Sequence, residues 1–112
     1  MPLRLLFVCS MNQWRSPTAE AIYRNHTGVA VRSGGTSPKA RRRVSATDIH
    51  WADLILVMEE QHRERLKRQF PDAYRQCRIE VLEIEDRYRA MDPRLVTELR
   101  SAIDPLLEDE LA

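Results

Sequence analysis

The sequence predicts an α/β fold: a single three-layer domain over residues 1–112, with a four-stranded parallel sheet and helices on both faces. Three observations point there. Short apolar runs rich in strand formers alternate with longer segments of helical period. A length of 112 residues, 43% hydrophobic and 31% charged, suits one core and is too little for two. The two cysteines, Cys9 and Cys77, are too few for a disulfide framework or a four-thiolate zinc site. No apolar stretch reaches the roughly 18 residues of a membrane span, and none has the layout of a secretion signal. A soluble cytoplasmic protein is expected.

Taken in order, Leu3 to Cys9 is a short, almost unbroken apolar run and reads as a buried strand. Ser16-Pro17 reads as a helix start, with Ser as cap and Pro at the first helical position. That helix runs to about His26, with Ala19, Ile22 and Tyr23 inward. Gly28 ends it, Val29 to Ser33 is a second strand, and Gly34-Gly35 is a turn. Ser45 to Asp48 matches a capping box in front of Ile49 and Trp51, and Trp51 is assigned to the core. Asp53 to Met58 is a third buried strand, followed by a charged helix from Glu59 to Phe70 that Pro71 stops. Ile79 to Ile84 mixes apolar with acidic residues, as an edge strand with one wet face does. Asp92-Pro93 starts a last helix with Leu95, Val96, Leu99, Ile103, Leu106 and Leu107 inward, and Pro105 should kink or divide it.

Ligands of such sheets sit beyond the carboxyl ends of the strands. The residues after Cys9, Ser33, Met58 and Ile84 therefore deserve the closest reading. Charge is uneven along the chain: residues 1–78 carry 14 Lys/Arg against 7 Asp/Glu, and residues 79–112 carry 4 against 10. An anion held by the basic part, with an acid supplied by the last third, fits that split. Arg41-Arg42-Arg43 reads as a solvated loop, with a docking patch as the alternative, and His26, His50 and His62 read as surface residues.

The chemistry lies in Cys9-Ser10-Met11-Asn12-Gln13-Trp14-Arg15-Ser16, a Cys followed after five residues by Arg-Ser. This is the spacing of the phosphate-binding loop of cysteine-dependent phosphatases. Five residues let consecutive backbone N–H groups converge on one anion. The following helix adds unpaired N–H groups and its positive dipole end. A thiol at the start of the ring faces the same positive potential, which suits a thiolate nucleophile. Arg can grip two phosphoryl oxygens at once.

Leu6 to Cys9 and Arg15 to Ala21 resemble the opening of the low-molecular-weight protein tyrosine phosphatases. Ser33-Gly34-Gly35-Thr36, Ala52 to Glu60 and Ile84-Glu85-Asp86 resemble later landmarks of that family. The resemblance implies hydrolysis of phosphotyrosine in a protein partner through a phosphocysteine on Cys9, without cofactor or metal. It implies that Arg15 and the backbone N–H groups of Ser10, Met11, Asn12, Gln13, Trp14 and Arg15 hold the phosphoryl oxygens. Asn12 would brace the loop, and Ser16 would hydrogen-bond the thiolate. A membrane partner is not expected, and a nucleic acid is disfavoured.

Two residues compete as the general acid. Asp86 follows the fourth strand and matches the family's Ile-acid-Asp pattern, although Arg87 comes next. Asp92 precedes a proline, as the family's acid does, but helix capping also explains it. Tyr88 and Trp14 are the aromatic residues proposed to wall a phenyl ring, with core packing the alternative for Trp14.

Several positions depart from the family. Met11 stands where Gly is common, and would be strained if the backbone there needs positive φ. Trp14 replaces a second loop cysteine. The segments from Thr36 to Ser45 and from Cys77 to Asp86 are short. Two other functions stay open: thiol-dependent arsenate reduction, for which Cys77 is the one additional thiol, and a silent module that binds a phosphorylated ligand or nucleic acid.

Overall fold

The computed structural model describes residues 1–112. The first strand, β1 (Leu3–Cys9), lies inside the sheet, parallel to β2 (Val29–Gly35) on one side and β3 (Leu54–Val57) on the other. A short β4 (Ile79–Val81) pairs with β3 at the edge, so the order is β2-β1-β3-β4 and every pairing is parallel. The expected four-stranded parallel sheet is present.

Why β1 is apolar throughout follows from what covers it. Leu5, Phe7 and Cys9 face a core built with α1 (Arg15–Tyr23) and α5 (Pro93–Leu111). Leu6 and Val8 face a second core that also contains Val44, Ile49, Leu66 and Ala73. The last three lie on α2 (Ala46–Trp51), α3 (Glu60–Gln69) and α4 (Pro71–Tyr74). A strand covered on both faces cannot alternate. Each fully buried Leu or Phe contributes roughly 1.5–3 kcal/mol.

Some local readings change. Ser16 does not cap α1: the helix begins at Arg15, its cap position is Trp14 with no side-chain bond, and Ser16 is buried for another purpose. Gly34 and Gly35 are the end of β2, not a turn. Gly35 is required there because a Cβ would lie 2.5 Å from the Ser10 carbonyl oxygen and 3.0 Å from the Asn12 nitrogen. The capping box forms, with Ser45 Oγ accepting from Asp48 N–H at 3.2 Å and Asp48 Oδ2 from Ser45 N–H at 3.0 Å. Trp51 is only half-buried and lies under the Arg32 guanidinium, 4.2 Å from its ring centre, outside both cores. Pro71 ends α3 but begins the single-turn α4.

Regular pairing in β4 stops at Val81, because Glu83 takes φ 59°. Leu82 and Ile84 N–H groups still bond Val57 and Met58 carbonyls at 2.9 and 2.8 Å. Helix α5 runs through Pro105 undivided. Pro105 and Ser101, whose carbonyl the proline leaves free, are both exposed, while Ile103 and Leu107 stay buried on the inner face. No helix is long and apolar enough to cross a membrane.

Replacing Gly35 with Ala should cost roughly 2 kcal/mol, because the added methyl meets backbone and has nowhere to go. Urea unfolding of Gly35→Ala measures this, and wild-type stability would contradict the close approach.

Candidate active site

At the carboxyl edge of the sheet, β1 hands over to the loop from Ser10 to Trp14, and α1 begins at Arg15. The loop is pinned from outside. The Cys9, Ser10 and Met11 carbonyls accept from Thr36, Ser37 and Arg41 N–H groups at 2.9, 3.0 and 3.0 Å. With the carbonyls so engaged, the loop's N–H groups are left for the inner side. A cleft there is lined by Cys9, Ser10, Met11, Gln13, Trp14, Arg15 and Asp86.

Backbone direction in the loop depends on Asn12, not Met11. Asn12 carries φ 52°, a conformation Asn tolerates better than most residues, and the side chain of Met11 is exposed at the rim without positive φ. The strain expected at Met11 is therefore absent. The buried Asn12 amide donates from Nδ2 to Ser16 Oγ and to Ser33 Oγ, both at 2.9 Å. Ser33 in turn donates to Glu20 Oε1 at 2.5 Å. Because Ser16 accepts from Asn12, its own proton is free to point at Cys9 Sγ, 2.9 Å away. A donor aimed at sulfur stabilises negative charge there.

The Arg15 guanidinium is almost wholly buried, with 4% of its side chain exposed. Its Nη1 donates to Glu59 Oε1 at 2.5 Å and to the Ile84 carbonyl at 2.9 Å, and its Nε lies 3.8 Å from Asp86 Oδ1. Burial alone would lift the Glu59 carboxyl, but Arg15 holds it below the usual carboxylate range. Glu59 thus fixes the one cation of the cleft. Asp86, half-exposed, reaches that cleft from the segment after β4. Asp92 is used otherwise: Oδ1 accepts from Arg94 N–H at 2.9 Å at the start of α5.

His62, read as a surface residue, is 1% exposed. Its Nδ1 accepts from Glu59 N–H at 3.0 Å and its Nε2 is 2.8 Å from Ser10 Oγ. Burial and then the Arg15 charge push it down to about 4. His26 and His50 are exposed, as expected.

Trp14 stands half-buried in the cleft wall, whereas Tyr88 does not line it. The Tyr88 ring packs against the core and under Arg94, 4.5 Å from its centre. Cys77 lies before β4, near the opposite end of the sheet from Cys9, and both thiols are free. Its Sγ contacts the Tyr74 carbonyl at 3.2 Å, and burial pushes its pKa up. Of the three consecutive arginines, Arg42 binds buried Asp48 at 2.8 Å and the Ser33 carbonyl at 2.6 Å. No three His, Cys, Asp or Glu side chains are grouped to hold a metal ion. A wider groove lined by Arg63, Lys67, Arg68, Tyr74 and Cys77 lies toward the amino edge, and its thiol has no arginine loop around it.

Sequence reasoning missed Glu20, Ser33, Glu59 and His62. The rule that sites follow strand ends pointed to Ser33 and Glu59, at the ends of β2 and β3. Nothing local marks His62, whose partners are a strand end and a loop residue 52 positions away.

No protein-family model matches the chain. A protein-arginine-phosphatase of Geobacillus stearothermophilus is 29% identical over 97 residues, covering 65% of this chain and 66% of that protein. The solved YwlE arginine phosphatase of the same organism superposes with a TM-score of 0.75 at 25% identity, covering 98% of this chain and 94% of that one. The tyrosine phosphatase Wzb of Escherichia coli K30, solved with phosphate, gives a TM-score of 0.78 at 23% identity, covering 97% and 99%. The structural neighbours include low-molecular-weight tyrosine phosphatases, as the resemblance implied.

His62 supplies a pH test of the site. It is held neutral in the folded protein, with Arg15 and Arg65 opposing its charge and Glu59 favouring it. Its ordinary value is 6.5, so between there and about 4 the unfolded chain binds the proton and the folded one does not. Stability should fall as pH drops through that window, by at most about 1.4 kcal/mol per unit from this group. Urea melts across the window should show a flatter dependence in His62→Gln. An unchanged slope would mean another group carries it.

Proposed function

Starting from a chain with the low-molecular-weight phosphatase fold and a Cys-to-Arg-Ser loop at its strand end, we propose that it dephosphorylates protein side chains, phosphotyrosine foremost, through a phosphocysteine on Cys9. The observation that carries this is the Ser16 hydroxyl, held by the Asn12 amide 2.9 Å from Cys9 Sγ, where it can donate to a thiolate. A binding module needs no thiol, and no donor on one.

In the first step the Cys9 thiolate attacks phosphorus and the side-chain oxygen leaves. Arg15 and the loop N–H groups hold the equatorial oxygens. Asp86 protonates the departing oxygen, which a phenolate with a pKa near 10 requires at neutral pH. In the second step water attacks phosphorus, with Asp86 taking its proton, and sulfur leaves as a thiolate stabilised by Ser16. The reading of Asp86 is supported by its position in the cleft and by the capping bond that occupies Asp92.

A second reading is favoured by the protein-arginine-phosphatase similarity. Phosphoarginine would use the same steps, with a guanidine nitrogen as leaving atom. Arsenate reduction is less well supported, since the second thiol stands near the other end of the sheet.

Wild type should hydrolyse an aryl phosphate, and Cys9→Ser should reduce this to background. Asp86→Asn should lose the acid-dependent limb of the pH–rate profile. Asp92→Asn should keep it and, because Asn caps a helix as well as Asp does, should leave stability nearly unchanged. A profile altered only in Asp92→Asn would reassign the acid. Comparing kcat/KM on matched phosphotyrosine and phosphoarginine peptides separates the two substrates, and a clear preference for phosphoarginine would replace the first reading by the second.

A further inference from the structure

We propose that the Ser10 hydroxyl is a side-chain donor to the transferring phosphoryl group, and that His62 is the positioning residue that aims it. The proposal rests on the phosphatase reading. Ser10 follows the proposed nucleophile and lines the cleft, and its Oγ lies 2.8 Å from His62 Nε2.

Which atom donates is fixed by the other side of the ring. His62 Nδ1 is 3.0 Å from the Glu59 backbone nitrogen, and an amide N–H can only donate. Nδ1 must then be unprotonated, which puts the ring proton on Nε2. Nε2–H donates to Ser10 Oγ and occupies one of its lone pairs. The Ser10 proton cannot point back at His62, and no protein acceptor takes it. Its acceptor is left to come from the cleft, where the ligand supplies anionic oxygens.

The surroundings hold this arrangement in place. His62 is almost fully buried, and its second partner, Glu59, is the carboxylate that holds Arg15. One short segment at the start of α3 thus sets both the cation and, through His62, the Ser10 hydroxyl. Burial and Arg15 keep the ring neutral at ordinary pH, so the direction of donation does not reverse.

The test uses the full chain, para-nitrophenyl phosphate as substrate and inorganic phosphate as competitive inhibitor. Ser10→Ala should lower kcat/KM roughly 10- to 100-fold, the range for a hydrogen bond to a charged group, and weaken phosphate inhibition. His62→Asn, which retains an acceptor for Glu59 N–H but cannot reach Ser10, should lose as much. His62→Gln, whose amide nitrogen reaches the Nε2 position, should recover most of the loss. The Ser10→Ala/His62→Asn double variant should be no worse than either single variant. Wild-type kinetics in Ser10→Ala would overturn the proposal. So would additive losses, or equal losses in His62→Asn and His62→Gln with both folded by circular dichroism. If wild type shows no turnover, the phosphatase reading fails separately. Calorimetric binding of inorganic phosphate to the same variants then decides on Ser10 and His62, with unweakened binding overturning the proposal.

Discussion

The site depends on one buried amide. Asn12 donates to Ser16 and to Ser33 at once, and so holds both hydroxyls in place. Ser33 donates to Glu20, and Ser16 can donate to Cys9 when the sulfur is a thiolate. The same residue supplies the left-handed backbone turn of the loop, at φ 52°, and the loop passes so near Gly35 that a side chain there would collide. The amide thus ties the residue next to the sulfur, Ser16, to a strand residue, Ser33, that is itself anchored on a carboxylate of α1. An alanine at position 12 would remove the donors and leave the turn to a residue poorly suited to it.

Charge in the cleft follows a similar economy. A guanidinium with only 4% of its side chain exposed is costly unless paired, and Arg15 is paired with Glu59 and the Ile84 carbonyl. Both partners sit at or after strand ends, where the sheet delivers them. The acidic last third of the chain, which suggested an arm bringing acids to an anion, has several of its acids engaged elsewhere. Asp92 caps α5, Glu98 meets Arg87, Asp104 accepts from Tyr23 and Glu110 pairs with Arg78. Asp86 is the member of that third that lines the cleft.

The sheet was legible because its cause is local. Unbroken apolar runs such as Leu5 to Cys9 and Leu54 to Val57 admit few other readings once helical segments separate them. The loop was legible because its spacing is contiguous. Misreadings arose where a tertiary partner overrode a local pattern. Ser16-Pro17 has the signature of a capped helix start, but the hydroxyl is taken by sulfur and the helix begins two residues earlier, at Arg15. Gly34-Gly35 has the composition of a turn, yet β1 draws it into the sheet beside Val8 and Cys9. His62 sits in the charged sequence of α3, and only the third dimension shows it facing Ser10. Tyr88 follows the proposed acid in sequence but is held by Arg94 and the core.

Whether a hydroxyl directed at Cys9 serves a covalent intermediate is decided most directly by trapping. Acid quench of Ser16→Ala during turnover of an aryl phosphate, followed by mass spectrometry of the intact protein and its peptides, reads the phosphorylated fraction. If Ser16 helps sulfur leave, the variant accumulates one phosphoryl group on the Cys9 peptide, above the wild-type level, while its steady-state rate falls. A variant that turns over at the wild-type rate, with no phosphoryl group on Cys9 or with one on another residue, would contradict the account.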